Sequence, residues 1–267
     1  MPESEDGGVD QKPAAAKRRR GIYLLPNLFT TAGLFAGFYA IVAAMGGRYA
    51  AAALAVYVAM ILDGLDGRVA RLTNTQTAFG VEYDSLSDMV SFGLAPALVV
   101  YEWALSGLGH YGWLWAKLGW LGAFVFAAGA ALRLARFNTQ VGILDKRYFQ
   151  GLPSPAAAAV VVGLVWVGDE IGADGLELAF PALVLTLAAG ILMVSNIRYY
   201  SFKEVDFVRR VPFVTILLVV MAFVLISIDP PKILFGVTLA YLLSGPAHTL
   251  YRLRRHRAQR RAAGRGG

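Results

Sequence analysis

Asp63-Gly64-Leu65-Asp66-Gly67-Arg68-Val69-Ala70-Arg71, followed after eight residues by Gly80-Val81-Glu82-Tyr83-Asp84-Ser85-Leu86-Ser87-Asp88, is the stretch on which the reading of this chain turns. On a helix Asp63, Asp66, Gly67 and Ala70 stand at i, i+3, i+4 and i+7 and share one face. Gly80, Asp84 and Asp88 form a second such stripe. Apolar residues make up 57% of the chain and charged ones 16%, against about 45–50% and 25% in a soluble domain. A carboxylate at bilayer depth costs about 2.5–3.5 kcal/mol on insertion scales, so four unpaired ones would cost about 10 kcal/mol. Arg68 and Arg71 are the only basic residues nearby, too few to neutralise them. Hard divalent cations, which take all-oxygen ligands, are the simplest partner.

Outward from this motif, apolar runs recur along the whole chain, and a span needs about 20 such residues. Gly, Pro and charge punctuation divides them into candidate spans near 26–46, 49–70, 81–105, 112–135, 152–169, 178–197, 211–228 and 232–250. The expected fold is therefore all-α, a polytopic integral membrane protein of about eight transmembrane helices. Connections after the second, fourth and sixth runs carry Arg68 and Arg71; Arg133, Arg136, Lys146 and Arg147; and Arg198, Lys203, Arg209 and Arg210. The intervening connections carry little positive charge, so the alternation predicts cytoplasmic termini and an even number of spans. The segment Arg136 to Gln150 is long enough to shape a site. Trp103, Trp113, Trp115 and Trp120 cluster as an aromatic belt would on the outer side. Dense small residues in several spans are a helix-packing signal without chemistry.

Composition removes several function classes. The chain has no cysteine, which excludes thiol nucleophiles and Cys-type zinc sites. His110, His248 and His256 lack His or Glu partners at ligand spacing. The net charge of +7 gathers in Lys17 to Arg20 and in Arg252 to Arg265. Beside membrane spans such runs read as topology signals and attraction to anionic headgroups, not nucleic-acid binding. Residues 1–21 read as a disordered basic cytoplasmic arm rather than a signal peptide. Residues 252–267 read as a basic cytoplasmic tail.

In this topology the motif closes the second span and opens the third, a hairpin joined by Arg71 to Phe79. Its two acidic stripes can face each other at the inner membrane surface. Facing stripes can hold two metal ions about 3.5–4 Å apart, the spacing used for in-line displacement at phosphorus. Gly67 and Gly80 share the faces of the aspartates. Absent side chains there let a ligand approach the backbone, where a plain helix-packing role is the alternative.

The complete pattern resembles the signature of the CDP-alcohol phosphotransferase family, with every position present. The resemblance covers roughly residues 22–210 as a membrane core and leaves 211–251 as an additional transmembrane hairpin. It implies transfer of a phosphatidyl group from a CDP-lipid to an alcohol, releasing CMP, with Mg²⁺ or Mn²⁺ as two divalent ions. It further implies Asp63, Asp66 and Asp84 as principal metal ligands and Asp88 near the second metal. Asp88 is also the implied catalytic base, whose basicity must come from its surroundings because an ordinary Asp is a weak base at pH 7. Gly67 and Gly80 would flank the cytidine and Arg71 would contact the nucleotide phosphates. A homodimer is the family expectation.

Three further segments resemble the serine-accepting branch of that family: Pro26-Asn27-Leu28-Phe29-Thr30-Thr31, Arg133-Leu134-Ala135-Arg136-Phe137-Asn138 and Gly151-Leu152-Pro153-Ser154-Pro155. This implies CDP-diacylglycerol and L-serine as substrates. Serine needs a cation for its carboxylate, and arginines suit bidentate carboxylate binding. Arg133, Arg136, Asn27 and Asn138 are the candidates for acceptor or phosphate binding, and topology or helix-end roles are equally open to them. Ser154 reads as a helix N-cap. Glycerol 3-phosphate or inositol phosphate as acceptor stays open, because Lys146 and Arg147 could meet an extra phosphate. A cation transporter is the alternative from another class. Its sites usually lie near the midplane, and it would leave Gly67, Arg71 and Gly80 unexplained.

Overall fold

The computed structural model describes residues 14–73, 77–139, 148–200 and 213–263. Among these the chain forms α1 (Ala14–Met45), α2 (Tyr49–Leu72), α3 (Ala78–Asp88), α4 (Ala95–Trp103), α5 (Trp113–Thr139), α6 (Ser154–Glu170), α7 (Ala179–Val194), α8 (Phe213–Ile228) and α9 (Pro230–Ala263). Strands β1 (Tyr148–Gln150) and β2 (Arg198–Tyr200) pair antiparallel, with Phe149 opposite Tyr199. Among the described residues this ribbon is the one departure from the all-α expectation.

Each expected apolar run falls on a helix, and the fold is that of an all-α membrane protein. Five stretches among the described residues are long and apolar enough to cross a membrane: 26–45, 49–72, 78–111, 113–139 and 230–251. The other three expected spans fall on α6, α7 and α8, of 17, 16 and 16 residues. At 1.5 Å per residue these are about 24–26 Å long, under the roughly 30 Å of a bilayer core. Helix α1 starts at Ala14, so residues 14–21 of the expected disordered arm are helical. Helix α9 likewise runs through residues 252–263 of the expected tail. Residues 1–13, Lys146, Arg147, Lys203, Arg209 and Arg210 lie outside the described residues.

The third run is one helix with a π turn, Met89–Leu94, between α3 and α4. Pro96 follows it at the start of α4 and has no N–H to give to Phe92, so the α ladder cannot pass unbroken through this point. Helix α1 crosses at this level. A Cβ on Gly37 would stand 2.6 Å from Ser91 Oγ and 2.8 Å from Ser91 Cα. Only glycine allows that approach. The serines below use it: Ser91 Oγ donates to Gly33 O at 3.1 Å and Ser87 Oγ donates to Thr30 O at 3.1 Å. Ser87 precedes Asp88, so these bonds set the rotation of the acidic stripe on α3.

At the opposite end of α2 the N-cap Arg48 makes no capping bond, and Asp169 Oδ2 accepts instead from the Ala50 N–H at 3.0 Å. Helix α6 is also joined to α2 through Tyr57, whose hydroxyl donates to Ala159 O at 2.9 Å. Helix α9 packs on α6 and on the ribbon. Pro246 interrupts its ladder and leaves the Leu242 carbonyl without its usual i+4 donor. The Tyr199 hydroxyl donates to that carbonyl at 3.0 Å. Burial, then the neighbouring Tyr241, pushes the Tyr199 phenol up to about 12, so it keeps its proton near neutral pH.

Candidate active site

The end of α2 and the start of α3 face each other beside the first turns of the α1 span. Between them lies a cleft of about 190 Å³, walled by Asn27 and Thr30 from α1, Asp66 and Gly67 from α2, and Thr77, Gly80 and Asp84 around α3. Part of each stripe read from sequence, Asp66, Gly67 and Ala70 on α2 and Gly80 and Asp84 on α3, therefore lines one space.

Asp63, Asp66 and Asp84 each bring one carboxylate oxygen within 4.8 Å of the others. Opposed ligands on Mg²⁺ stand about 4.2 Å apart, twice its bond length of about 2.1 Å, so this spread is the size of one coordination sphere. Asp88 follows one turn along α3, close enough to Asp63, Asp66 and Asp84 for their charges to act on it. Carboxyl groups this close repel unless a proton or cation lies between them. Converging all-oxygen donors suit hard divalent ions, and the residues fit a metal site of that class.

Asp66 is 4% exposed, and Thr30 Oγ1 donates to its Oδ2 at 2.8 Å. Sequence reasoning quoted Thr30 within a motif and assigned it no role. Its signal was a hydroxyl in an apolar helix one turn from Pro26, whose carbonyl is its other acceptor at 3.1 Å. Thr77 was also missed. It N-caps α3 by accepting from the Gly80 N–H at 3.0 Å and contributes to the cleft wall.

The glycines differ from packing glycines. A Cβ on Gly67 would meet nothing within 4 Å, so no neighbouring helix demands glycine there. On Gly80 it would approach Thr77 Oγ1 at 3.2 Å and Asn27 Oδ1 at 3.4 Å, narrowing the cleft. Arg71 is exposed one turn beyond Gly67, on the same face of α2 but outside the cleft wall.

The four acceptor candidates separate. Asn27 lines the cleft. Asn138 Nδ2 donates to Ser85 Oγ at 3.0 Å, tying α5 to α3 beside Asp84. Arg136 Nη2 and Nη1 donate to the carbonyls of Val194 at 2.6 Å and Ser195 at 3.4 Å, so its guanidinium caps the C-terminus of α7. Arg133 turns the other way: Nη1 donates to Ser154 Oγ at 2.9 Å. Ser154 is thus an acceptor for Arg133, and α6 has no side-chain N-cap bond, against the capping role expected of it. Gly151, at φ 78°, makes the turn that carries the ribbon into α6 and delivers Ser154.

Comparison with known proteins bears directly on this site. Residues 23–194 match the family model described as CDP-alcohol phosphatidyltransferase. The chain is similar to the CDP-diacylglycerol–serine O-phosphatidyltransferase of Helicobacter pylori, 37% identical over 82% of this chain and 90% of that protein. The protein of the same name from Mycobacterium leprae is 29% identical over 86% of this chain and 76% of its own length. The archaetidylserine synthase of Methanothermobacter thermautotrophicus is 31% identical over 68% of this chain and 72% of its own. A transferase family leaves no place for the cation-transporter alternative. With an aspartate from each stripe in one cleft and its family model spanning both stripes, this chain belongs to the CDP-alcohol phosphatidyltransferase family.

Proposed function

We propose that this protein transfers a phosphatidyl group from CDP-diacylglycerol to the hydroxyl of L-serine, giving phosphatidylserine and CMP. The observation that carries the reading is the cleft in which Gly67 and Gly80 lie beside Asp66 and Asp84. The relatives' names supply the choice of serine.

Asp63, Asp66, Asp84 and Asp88 hold two divalent ions, Mg²⁺ or Mn²⁺. When bound, these supply the positive charge that neutralises the pyrophosphate and stabilises the departing CMP oxygen. Gly67 and Gly80 leave room for the cytidine against the helix backbones. Arg71, flexible and exposed at the mouth, reaches the nucleotide phosphates as an always-charged donor. Asp88 takes the proton of the serine hydroxyl as its oxygen bonds to the β-phosphorus; the bridging P–O bond breaks and CMP leaves with the electron pair. No covalent intermediate on the protein is required. Thr30 orients Asp66, and Asn138 holds α3 against α5. Arg133 and Asn27 serve the acceptor or the phosphates, while Arg136 contributes by fixing α7.

In the membrane, the short helices α6, α7 and α8 complete eight spans, with both termini and the cleft at the cytoplasmic face, and two copies form a homodimer. The test is CMP release by purified protein with CDP-diacylglycerol and, in turn, L-serine, glycerol 3-phosphate and inositol phosphate. Release with serine alone supports the reading. Release only with a phosphorylated acceptor overturns it.

A further inference from the structure

Helices α5 and α7 are pressed together where each has a glycine. A Cβ on Gly129 would stand 2.5 Å from Gly190 O, and one on Gly190 would stand 3.0 Å from Phe126 Cα. Along this seam runs a groove of about 440 Å³, walled in part by the exposed side chains of Phe124, Leu132 and Ile191. Of the described residues that line it, only Ser195 carries a polar side chain. An exposed apolar groove of this kind marks a place for another apolar body. In a chain that crosses a bilayer, the body always at hand is a hydrocarbon tail.

The depth of the groove fits a tail from one leaflet. From Phe124 to Leu132 it follows α5 for eight residues, about 12 Å at 1.5 Å per residue. A bilayer core is about 30 Å thick, so one leaflet supplies about 15 Å of hydrocarbon. The mouth lies at the same membrane face as the catalytic cleft, because Asn138, six residues beyond Leu132, bonds Ser85 of α3. Arg136 stands at this mouth, one turn beyond Leu132. Its Nη2 and Nη1 donate to the carbonyls of Val194 at 2.6 Å and Ser195 at 3.4 Å, and both residues belong to the groove wall. Among the described residues these are its hydrogen bonds, and the one ion pair joins Lys232 to Asp229. A guanidinium has five N–H donors, so two carbonyls leave it with donors and a positive charge to spend.

We infer that the α5–α7 groove is a binding site for an anionic phospholipid of the surrounding leaflet, one tail lying between Phe124 and Leu132 and the phosphate resting on Arg136. The site is separate from the catalytic cleft, whose walls come from α1, α2 and α3. Arginine suits the phosphate because its planar fork offers two parallel N–H bonds. A phosphate complements the charge at the mouth. A second copy of this chain, bringing the same Arg136 on the same face, does not. The bound lipid joins the end of α7 to the end of α5, on the turn from which Asn138 reaches Ser85.

The experiment is native mass spectrometry of the full-length protein in detergent, titrated with dioleoyl phosphatidylglycerol or dioleoyl phosphatidylcholine. One phosphatidylglycerol stays bound at a concentration about tenfold below that needed for phosphatidylcholine, as a hydrogen bond to a charged group predicts. Arg136→Gln removes this preference. Ala128→Trp fills the groove without touching the Arg136 bonds and weakens both lipids alike, by about tenfold if two buried methylenes are displaced. Phosphatidylglycerol with a photoreactive diazirine in its tail labels residues 124–132 and 190–195 of the unaltered protein, a result that needs no variant to fold. Equal retention of the two lipids, label confined to α1, α2 and α3, or an Ala128→Trp protein that binds phosphatidylglycerol as before overturns the inference. So does an Ala128→Trp protein that falls from dimer to monomer with its lipid still bound, which makes the groove an interface between copies. None of these outcomes depends on which alcohol accepts the phosphatidyl group.

Discussion

Thr30 donates its hydroxyl hydrogen to Asp66 Oδ2 at 2.8 Å across 36 residues of sequence. This bond fixes the most buried of the clustered carboxylates from a helix that contributes no acid itself. Partners that orient a metal-binding carboxylate are worth about 10–100-fold in metal affinity or activity. Thr30→Val preserves shape and removes the donor. The Mg²⁺ or Mn²⁺ concentration for half-maximal CMP release rises by about that factor; superimposable titrations would count against the role.

Asp88 stands one turn beyond Asp84 on α3. Asp88→Asn keeps the size and removes both the negative charge and the proton acceptor. A lost general base costs about 10²–10⁴-fold in turnover. Single-turnover CMP release in the variant measures this, and a loss of less than tenfold would assign the proton elsewhere.

Two glycines in neighbouring helices respond oppositely to alanine. At Gly67 the new methyl enters open cleft, so folding is unaffected while KM for CDP-diacylglycerol rises. At Gly37 it would lie 2.6 Å from Ser91 Oγ and 2.8 Å from the Ser91 backbone, an overpacking that costs about 1–3 kcal/mol. Melting of the two variants in detergent, set beside their KM values, separates ligand clearance from helix packing. Equal melting losses would refute the distinction.

Three converging carboxylates, Asp63, Asp66 and Asp84, also tie stability to divalent ions. An ion at 100 times its dissociation constant adds about 2.7 kcal/mol to the folded state. Chelation with EDTA therefore lowers the melting midpoint and abolishes CMP release, and Mg²⁺ or Mn²⁺ restores both. In Asp63→Asn/Asp84→Asn protein EDTA has little effect on melting. An equal effect there would place the stabilising ion outside this cluster.

Most of this was legible in the sequence because length and periodicity are local properties. The eight apolar runs fall on helices, and helical arithmetic puts Asp63 with Asp66 on one face and Asp84 with Asp88 on another before any packing is known. What packing decides was not legible. Arg133 and Arg136 look equivalent three residues apart, yet one meets Ser154 and the other the carbonyls of Val194 and Ser195. The π turn before Pro96 depends on which carbonyl a missing N–H leaves behind. The three-residue strands are too short for any alternation to register. Thr30 sat in view but gained meaning only from a partner on another helix.

The seat of α9 gives a sharper test of the same kind. Pro246 deprives the Leu242 carbonyl of its helical donor, and Tyr199 replaces it from β2 at 3.0 Å. Tyr199→Phe leaves that buried carbonyl with neither partner, a cost of about 1–3 kcal/mol. At about 2–4 °C per kcal/mol for a chain of this size, the midpoint falls by several degrees. Pro246→Ala alone supplies a second donor to a carbonyl already served. In the Tyr199→Phe background it returns the only one, so the double variant recovers most of the lost stability. Additive losses in the two variants would mean that Tyr199 acts by packing on Gly245 and not by replacing the proline's missing hydrogen bond.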